Sequence, residues 1–332
     1  MKKTLLTSLM VLFTVFIANA EIITVNNSPI PGGMYTNLQD ALDAAQTGDT
    51  IYVHPSPDSY GSVKINKRLV IMGGGYSPDS TQFQWPSTTG SITLDSVALT
   101  NPISGTSITG LNVSGTINGD AGIKNVLIER CYVSSYVYVI GDGAIIRNNI
   151  INYLDIKNHS NVLIVENFIK NISNSNKSSV LIANNILSGS FYSMSYAIVS
   201  NNIFWFCNIS NFSYSTFNNN ITYAVDTQTL PYGTNTGSNN VHADPKFNDA
   251  TIPLSAVSVG NAITYDWSLS DASPGISAGT DGTDIGMYGG GYPMPNMTGA
   301  PALPQITNMT VNNSVVPVDG TLNVTVKARK QK

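Results

Sequence analysis

The stretch Ala144-Ile-Ile-Arg-Asn-Asn-Ile-Ile is repeated with small changes along the middle of this chain. Most copies have apolar residues at both ends and Asn at the fifth and sixth positions. The copies begin at Val126, Ala144, Val162, Val180, Ala197 and Ser215, so successive starts differ by 18, 18, 18, 17 and 18 residues. This period is too short for two helices per repeat. It predicts a coil of short strands whose apolar face is buried only when the copies stack.

The sixth position of the repeat is polar, although apolar residues flank it. An imperfect first copy has Asn112 there, the next copy has Cys131, and the later copies have Asn149, Asn167, Asn185, Asn202 and Asn220. Parallel stacking places these side chains about 4.8 Å apart, so each amide can donate a hydrogen bond to the next. We therefore predict a structural ladder of Asn side chains that Cys131 interrupts.

The sequence contains two cysteines, Cys131 and Cys207. They lie about four repeats apart, which is on the order of 19 Å at the spacing of stacked strands. A disulfide needs Cα atoms within about 7 Å of each other. We therefore predict two free thiols.

The chain is poor in charge. Charged residues make up 11% of it, roughly half the usual share, while β-branched and turn residues are abundant. This composition favours an all-β fold. The net charge of −4 predicts no basic surface, and therefore no nucleic-acid partner.

The first 20 residues have the pattern of a secretory signal peptide. Lys2 and Lys3 precede an apolar run from Leu5 to Ile17, and Ala18-Asn-Ala offers a small-residue cleavage site. The run is too short to span a membrane comfortably. We expect an exported chain that begins at Glu21, is secreted or held at the cell surface, and has no membrane span after cleavage.

Four segments follow from these patterns: a signal peptide (1–20), a solenoid with its N-terminal cap (21–290), a Pro-rich linker (291–305) and a short β-hairpin tail (306–332). The cap is predicted to be an amphipathic helix, because Leu38, Ala41 and Leu42 fall on one face. Thr36 and Gln39 predict a capping box at its start. A helix at this end and a closing segment near residue 284 would block end-to-end stacking, so we expect a monomer.

Motifs that precede and follow the repeat indicate the same kind of fold as the repeat itself. Leu38-Gln-Asp-Ala-Leu-Asp-Ala-Ala and Gly48-Asp-Thr-Ile precede it, and Ser273-Pro-Gly-Ile and Asp284-Ile-Gly-Met-Tyr follow it. Together with the repeat, they resemble the right-handed parallel β-helix proteins of the broad pectate-lyase-like superfamily, particularly secreted bacterial members. The resemblance implies an all-β, single-stranded right-handed parallel β-helix solenoid. It implies no activity, because the shared motifs are scaffold motifs.

A left-handed β-helix, built from hexapeptides, also has about 18 residues per coil. Its pattern has no place for an Asn ladder. The thirteenth position here is also mixed, with Tyr138, Ile156 and Asn174 in successive copies. We therefore favour the right-handed form and keep the left-handed one as the alternative.

Charged residues are few within the repeats. Glu129 and Arg147 share the fourth position of neighbouring copies, and Arg130 and Glu166 share the fifth position. One interpretation is a surface ion-pair ladder, which contributes little energy. The other is a site for an acidic sugar, in which Arg130 or Arg147 pairs with the sugar carboxylate and Glu129 and Glu166 help to bind it.

Asp155, Lys157 and His159 form a second candidate group. Lys157 could act as a base and His159 as an acid, and the alternative is a polar turn. No converging pair of Asp residues is found, which argues against a hydrolase. The sequence has no row of Asp ligands for Ca²⁺, so no metal or cofactor is predicted, and Ca²⁺ stays open as the alternative.

Aromatic and apolar positions give two further expectations. Trp205 and Tyr223 share the ninth position of adjacent copies and form either a platform for sugar rings or ordinary core packing. The second and seventh positions are both apolar, and strict alternation cannot bury both. We predict that one of these stripes lies outside and is covered by a loop or by the C-terminal tail.

No reaction follows from the sequence. The first hypothesis is a secreted or cell-surface β-helix that binds polysaccharide or displays a surface toward it. The alternatives are a polysaccharide lyase or related enzyme acting on an acidic glycan, and an adhesin-like structural spacer. If the protein is an enzyme, a lyase is favoured over a glycoside hydrolase, and Arg130, Arg147 and Lys157 are the catalytic candidates.

Overall fold

The structure, a computed structural model, describes residues 20–29, 32–77, 84–96, 103–157, 159–174, 179–225, 229–295, 297–301, 305–311 and 319–329. Residues 1–19, and with them nearly all of the predicted signal peptide, lie outside the described residues.

The chain folds into an all-β parallel solenoid of about 10 turns, which confirms the predicted fold class. Each strand pairs in parallel with the equivalent strand of the next coil. Among the described residues, sheet A has ten strands. In spatial order they are β1 (Ile22–Val25), β2 (Thr50–Val53), β4 (Val70–Gly73), β7 (Ser107–Thr109), β10 (Leu127–Glu129), β12 (Ile145–Arg147), β14 (Val162–Val165), β16 (Val180–Ala183), β18 (Ile198–Ser200) and β21 (Thr216–Asn218).

Sheet B forms the other side of the solenoid. Its main path is β3 (Val63–Ile65), β6 (Ile92–Leu94), β9 (Ile117–Gly119), β11 (Tyr132–Tyr138), β13 (Ile150–Asp155), β15 (Phe168–Ser173), β17 (Ile186–Ser195), β19 (Ile203–Trp205), β22 (Ile221–Tyr223) and β23 (Val241–His242). Off this path, β5 (Thr88–Thr89) pairs with β8 (Asn112–Val113), β8 also pairs with β11, and β20 (Asn208–Ser213) pairs with β17. Near the C-terminus, β24 (Gln305–Val311) and β25 (Val324–Arg329) form an antiparallel pair.

Two short helices accompany the strands, α1 (Leu38–Ala44) and α2 (Val259–Ala262). Helix α1 packs against β1, β2 and β3. Its N-cap is Asn37, whose side chain accepts hydrogen bonds from the N–H groups of Gln39 and Asp40. The predicted capping box of Thr36 and Gln39 is therefore wrong. The Gln39 side chain reaches the backbone of Lys64 in β3 instead.

The register follows the repeat from Val126 onward but not before it. Leu127, Ile145, Leu163, Leu181 and Ile198 are paired in succession along sheet A. In the first copy Asn112 pairs with Tyr132, a separation of 20 residues rather than 19. A slip of one residue sends a side chain to the opposite face of a strand. Leu111 therefore takes the ladder position, and the assignment of Asn112 to the ladder is wrong. Asn112 donates to Thr88 Oγ1 at 3.1 Å instead.

The Asn ladder itself is present, and its first five members are fully buried. From Asn167 onward, each Oδ1 accepts from the backbone N–H and from the Nδ2 of the Asn in the preceding coil, at 2.8–3.1 Å. The series is Asn149, Asn167, Asn185, Asn202, Asn220 and, beyond the prediction, Asn240. Every buried amide is thereby satisfied along the stack.

Cys131 ends the ladder on its N-terminal side. Its N–H donates to Asn149 Oδ1 at 2.8 Å, as the ladder requires. Its thiol stands where the amide Nδ2 would be and donates to the carbonyls of Ile108 at 3.7 Å and Glu129 at 3.3 Å. Cys131 and Cys207 are both free and buried, as predicted, and burial raises the pKa of each thiol to about 12.

The predicted outer apolar stripe is the row at the seventh position. It consists of Ile150, Phe168, Ile186, Ile203 and Ile221. Residues 249–295 and 297–301, which we name the covering segment, lie over it and bury Trp267, Met287 and Met294 against it. The prediction of a covered outer stripe is confirmed for the seventh position. The second-position row also lies outside the core and stays partly exposed, with Leu181 36% and Ile198 52% exposed. The covering segment includes the described residues between 291 and 301, which fall in the segment predicted as a linker.

Candidate functional site

The fifth position of each repeat has an unusual backbone. From Arg130 to Asn219 its φ lies between +53° and +58° in every copy, and the members are Arg130, Asn148, Glu166, Asn184, Asn201 and Asn219. Asn adopts this left-handed region at less cost than most residues, which accounts for its frequency here. Arg130 and Glu166 are exceptions. Their backbone strain draws attention to what their side chains contact.

Side chains at this position hold the covering segment on the solenoid. The pairs and donor–acceptor distances are Asn219 with Ala278 (2.8 Å), Asn201 with Thr280 (2.9 Å), Asn184 with Asp284 (3.2 Å), Glu166 with Tyr292 (3.3 Å), Asn148 with Tyr292 (2.7 Å) and Arg130 with Ala300 (2.8 Å). The covering segment therefore runs back along the solenoid toward its N-terminal end. Two sequence-predicted site residues, Arg130 and Glu166, bind the backbone of their own chain.

The charged candidates at the fourth and fifth positions lie together. Arg147 Nη2 is 3.1 Å from Glu129 Oε2, and Arg130 Nε is 3.5 Å from Glu129 Oε1. The guanidinium carbon of Arg147 lies 4.3 Å from the centroid of the Tyr292 ring. These side chains are only 16–21% exposed. The result is an ion-pair network that is largely enclosed by the covering segment.

The carboxyl group of Glu166 is buried between solenoid and covering segment. Its Oε1 accepts from the Tyr292 N–H, beside Gly290, where a side chain would collide with it. Among the described residues, no group donates to Oε2. Burial raises the pKa of Glu166 to about 7, against the opposing effects of Tyr292 N–H and of Arg147.

The second predicted group does not converge on one point. Asp155 Oδ1 accepts from the backbone N–H of Lys157 at 2.9 Å. Lys157 Nζ lies 4.3 Å from the centroid of the Tyr138 ring, whereas His159 Nδ1 lies 3.8 Å from Asp142 Oδ1. Burial lowers the pKa of His159, and the charge of Asp142 opposes that shift. Lys157 and His159 thus have different partners.

Trp205 and Tyr223 stack in adjacent coils, with ring centroids 5.0 Å apart and planes within 19°. Phe247 packs on Trp205 from outside, at 5.4 Å between centroids. Only 4% of Trp205 is exposed, whereas Tyr223 is half-buried. Trp205 therefore belongs to the packing beneath the segment that follows the last coil.

A group of tyrosines lies on sheet B beyond the bend in β11. Tyr136 is 40% exposed. Its ring centroid lies 4.7 Å from that of Tyr153 in the next coil and 5.7 Å from that of Tyr138 on its own strand. The hydroxyl of Tyr153 is hydrogen-bonded to that of Tyr192, two coils further on. We name these four residues, Tyr136, Tyr138, Tyr153 and Tyr192, the tyrosine face.

Amides and a hydroxyl continue the tyrosine face along the solenoid axis. Tyr136 and Tyr153 are in register with Asn171, Ser190 and Asn208 of the following coils. The row therefore carries aromatic rings at one end and hydrogen-bonding groups at the other, at steps of about 4.8 Å. A polymer that lies along the axis meets both kinds of contact, and extended faces of this kind are where solenoids bind ligands.

The tyrosine face was not predicted, because the strands are irregular there. Tyr136 pairs with Tyr153, which is 17 residues later, after an irregularity between Val133 and Tyr136. Counting in steps of 18 puts Tyr136 beside Leu154 and hides the aromatic pair. The signal in the sequence was the alternation of Tyr136, Val137 and Tyr138. In the structure, Val137 alone of these three is fully buried.

In the part of the chain that the structure describes, no three His, Cys, Asp or Glu side chains are grouped in a way that suits a metal ion. Within the same residues, no helix has the length and apolar character that crossing a membrane requires. No protein-family model matches the chain, and no curated protein matches it.

Proposed function

We propose that this protein is an exported β-solenoid that binds a polysaccharide along the tyrosine face. The observation that supports it is the outward row from Tyr136 and Tyr153 to Asn171, Ser190 and Asn208. Tyrosine offers a large amphipathic contact area at a low cost in side-chain entropy. Amides and hydroxyls match sugar hydroxyls as donors and acceptors. The row follows one direction, as an extended glycan does.

The partners of the charged candidates favour binding over a lyase reaction. A lyase needs a base and a cation beside the carboxylate of its substrate. Arg130 is engaged by Ala300 and Glu129, and Arg147 by Glu129 and Tyr292. Lys157, beside Tyr138, is the candidate that borders the tyrosine face.

Replacing Tyr136 by alanine should weaken glycan binding by about tenfold, since truncating an exposed aromatic contact costs about 1.4 kcal/mol or more. Tyr153→Ala should have a similar effect. Titration calorimetry against neutral and acidic oligosaccharides measures this change. Tyr214→Ala is the matched control, because Tyr214 is 61% exposed at another corner of the solenoid and should leave affinity unchanged.

Two outcomes would overturn this assignment. Absence of binding to every oligosaccharide would favour the structural spacer. Ultraviolet absorbance of unsaturated products from an acidic glycan, abolished by Lys157→Ala, would favour the lyase.

Export predicts a mature chain that begins at Glu21. The N–H of Glu21 donates to Asp49 Oδ1 at 2.9 Å, and Asp49 is buried. Cleavage after Ala20 would convert this N–H into an ammonium group and make the hydrogen bond charge-assisted. N-terminal sequencing of protein recovered outside the cell tests this prediction. Ala20→Leu, which removes the small residue at the cleavage site, should block processing. An exported chain that still begins at Met1 would contradict the prediction.

A further inference from the structure

We propose that a cleft beside Asn208 binds an N-acetylated sugar residue of the polysaccharide on the tyrosine face, an inference that rests on the proposed function. The cleft has a volume of about 560 Å³. It lies where the coils containing Gly189, Phe206 and Ala224 meet Leu254 and Ala256 of the covering segment.

Asn208 joins this cleft to the tyrosine face. It lines the cleft and is also in register with Ser190, Asn171 and Tyr153. Four strand spacings separate it from Tyr136, on the order of 19 Å. An extended glycan that lies on the row therefore brings one of its later sugar residues to the mouth of the cleft.

The lining of the cleft matches an acetamido group. Phe206, Ala224, Leu254 and Ala256 offer apolar walls for a methyl group. Asn208 and His242 also line the cleft and have side chains that can form hydrogen bonds, and His242 Nδ1 already lies 3.0 Å from Thr222 Oγ1. A buried polar group needs such partners.

The charge of the lining argues against an acidic sugar. No Lys, Arg, Asp or Glu is among the described residues that line the cleft, so a carboxylate that entered would find no permanent cation there and could pair only with a protonated His242. Lys170 of the adjoining coil lies behind Gly189. An acidic oligosaccharide therefore belongs in the test.

Two residues of the cleft wall have a left-handed backbone. Phe206 and Ala224 adopt φ of +47° and +50°, a region that costs such residues energy. The same left-handed conformation recurs at turns along the solenoid, so it reflects the geometry of the coils as well as that of the cleft. Here both strained residues form the solenoid wall of the cleft.

The experiment compares hexa-N-acetylchitohexaose with cellohexaose, which has the same linkage without the acetamido group. Titration calorimetry on the full chain should give at least about tenfold tighter binding of the acetylated hexamer, the discrimination that one apolar group gains in a fitted pocket. Ala256→Trp, which fills the cleft, and Leu254→Ser, which removes an apolar wall, should bring this ratio near one. Both residues are exposed, Leu254 to 71%, so neither change disturbs the core.

Tyr136→Ala separates this inference from the proposed function, because it should weaken both hexamers equally. Binding without discrimination, or discrimination that survives Ala256→Trp, overturns the cleft inference and leaves the proposed function standing. Tighter binding of hexagalacturonate than of the acetylated hexamer also overturns it. Absence of binding to all three hexamers overturns both.

Discussion

Replacing Asn185 by leucine should lower the free energy of unfolding by about 4 kcal/mol, because several buried groups lose a partner and each costs about 1–3 kcal/mol. Asn185 Oδ1 accepts from both the N–H and the Nδ2 of Asn167, at 3.0 Å. Its Nδ2 donates to Ile164 O at 2.9 Å and Asn202 Oδ1 at 3.0 Å. Leucine has a similar volume but offers none of these bonds. Chemical denaturation followed by circular dichroism measures the change.

Two control variants isolate the ladder from general effects of mutation. Asn112→Ala should cost about 0.5 kcal/mol, as for a position outside the core, because Asn112 lies outside the ladder and donates to Thr88. Cys131→Asn should leave stability unchanged or raise it. The new amide would donate to the carbonyls of Ile108 and Glu129 that the thiol now contacts. A loss at Asn185 no larger than that at Asn112 would show that the ladder contributes little.

The contrast between Asn112 and Asn185 shows what the repeat can predict. Between Val126 and Ser215 the coils have nearly constant length, so sequence spacing gives register directly. Glu129 and Arg147 were expected to be neighbours, and in the structure they are register partners on adjacent strands. The coil before Val126 is longer by two residues, and a one-residue error there exchanges the inward and outward faces.

The role of the fifth position could not be predicted, because its partners are distant in sequence. Asn148 binds a backbone group 144 residues away, and Arg130 binds one 170 residues away. The repeated Asn indicates a turn with positive φ, but the side chain's partner depends on the path of the covering segment. For the same reason, the exposure of the aromatic side chains could not be predicted from the sequence. Trp205 and Tyr223 stack as their shared position suggested, yet Phe247 covers Trp205.

Glu166→Gln should remove part of the pH dependence of stability. Burial raises the pKa of Glu166 in the folded chain to about 7, from an ordinary value of 4.5. A carboxyl group whose pKa rises on folding takes up a proton as the chain folds. Its contribution to stability is complete below about pH 4.5 and is lost as the pH rises through about 7. Wild type, relative to Glu166→Gln, should therefore lose about 1–3 kcal/mol between these limits, because each pKa unit corresponds to about 1.4 kcal/mol.

Charged groups on both the solenoid and the covering segment affect the pKa of Glu166, and other titratable groups affect the measurement. Arg147 on the solenoid lowers the pKa of Glu166, and Asp281 on the covering segment raises it. His54 and His159 also have pKa values shifted on folding, in both cases lowered by burial, so the informative quantity is the difference between wild type and Glu166→Gln. Denaturation midpoints from pH 4.5 to about pH 8 give that difference.

The ionisation of Glu166 should affect the opening of the covering segment around Tyr292 as well as the free energy of unfolding of the whole chain. The Tyr292 N–H donates to its carboxyl group, and ionisation leaves a buried charge whose Oε2 has no donor among the described residues. Above pH 7 the covering segment should therefore open more readily around Tyr292 in wild type than in Glu166→Gln. Hydrogen exchange at the Tyr292 amide, corrected for the intrinsic effect of pH, reports this opening.

Glu129→Gln is the matched control for both measurements. It removes a neighbouring carboxylate that pairs with Arg147, so it should lower stability without removing the pH dependence of stability. Parallel pH curves for wild type and Glu166→Gln would mean that Glu166 is already ionised beneath the covering segment.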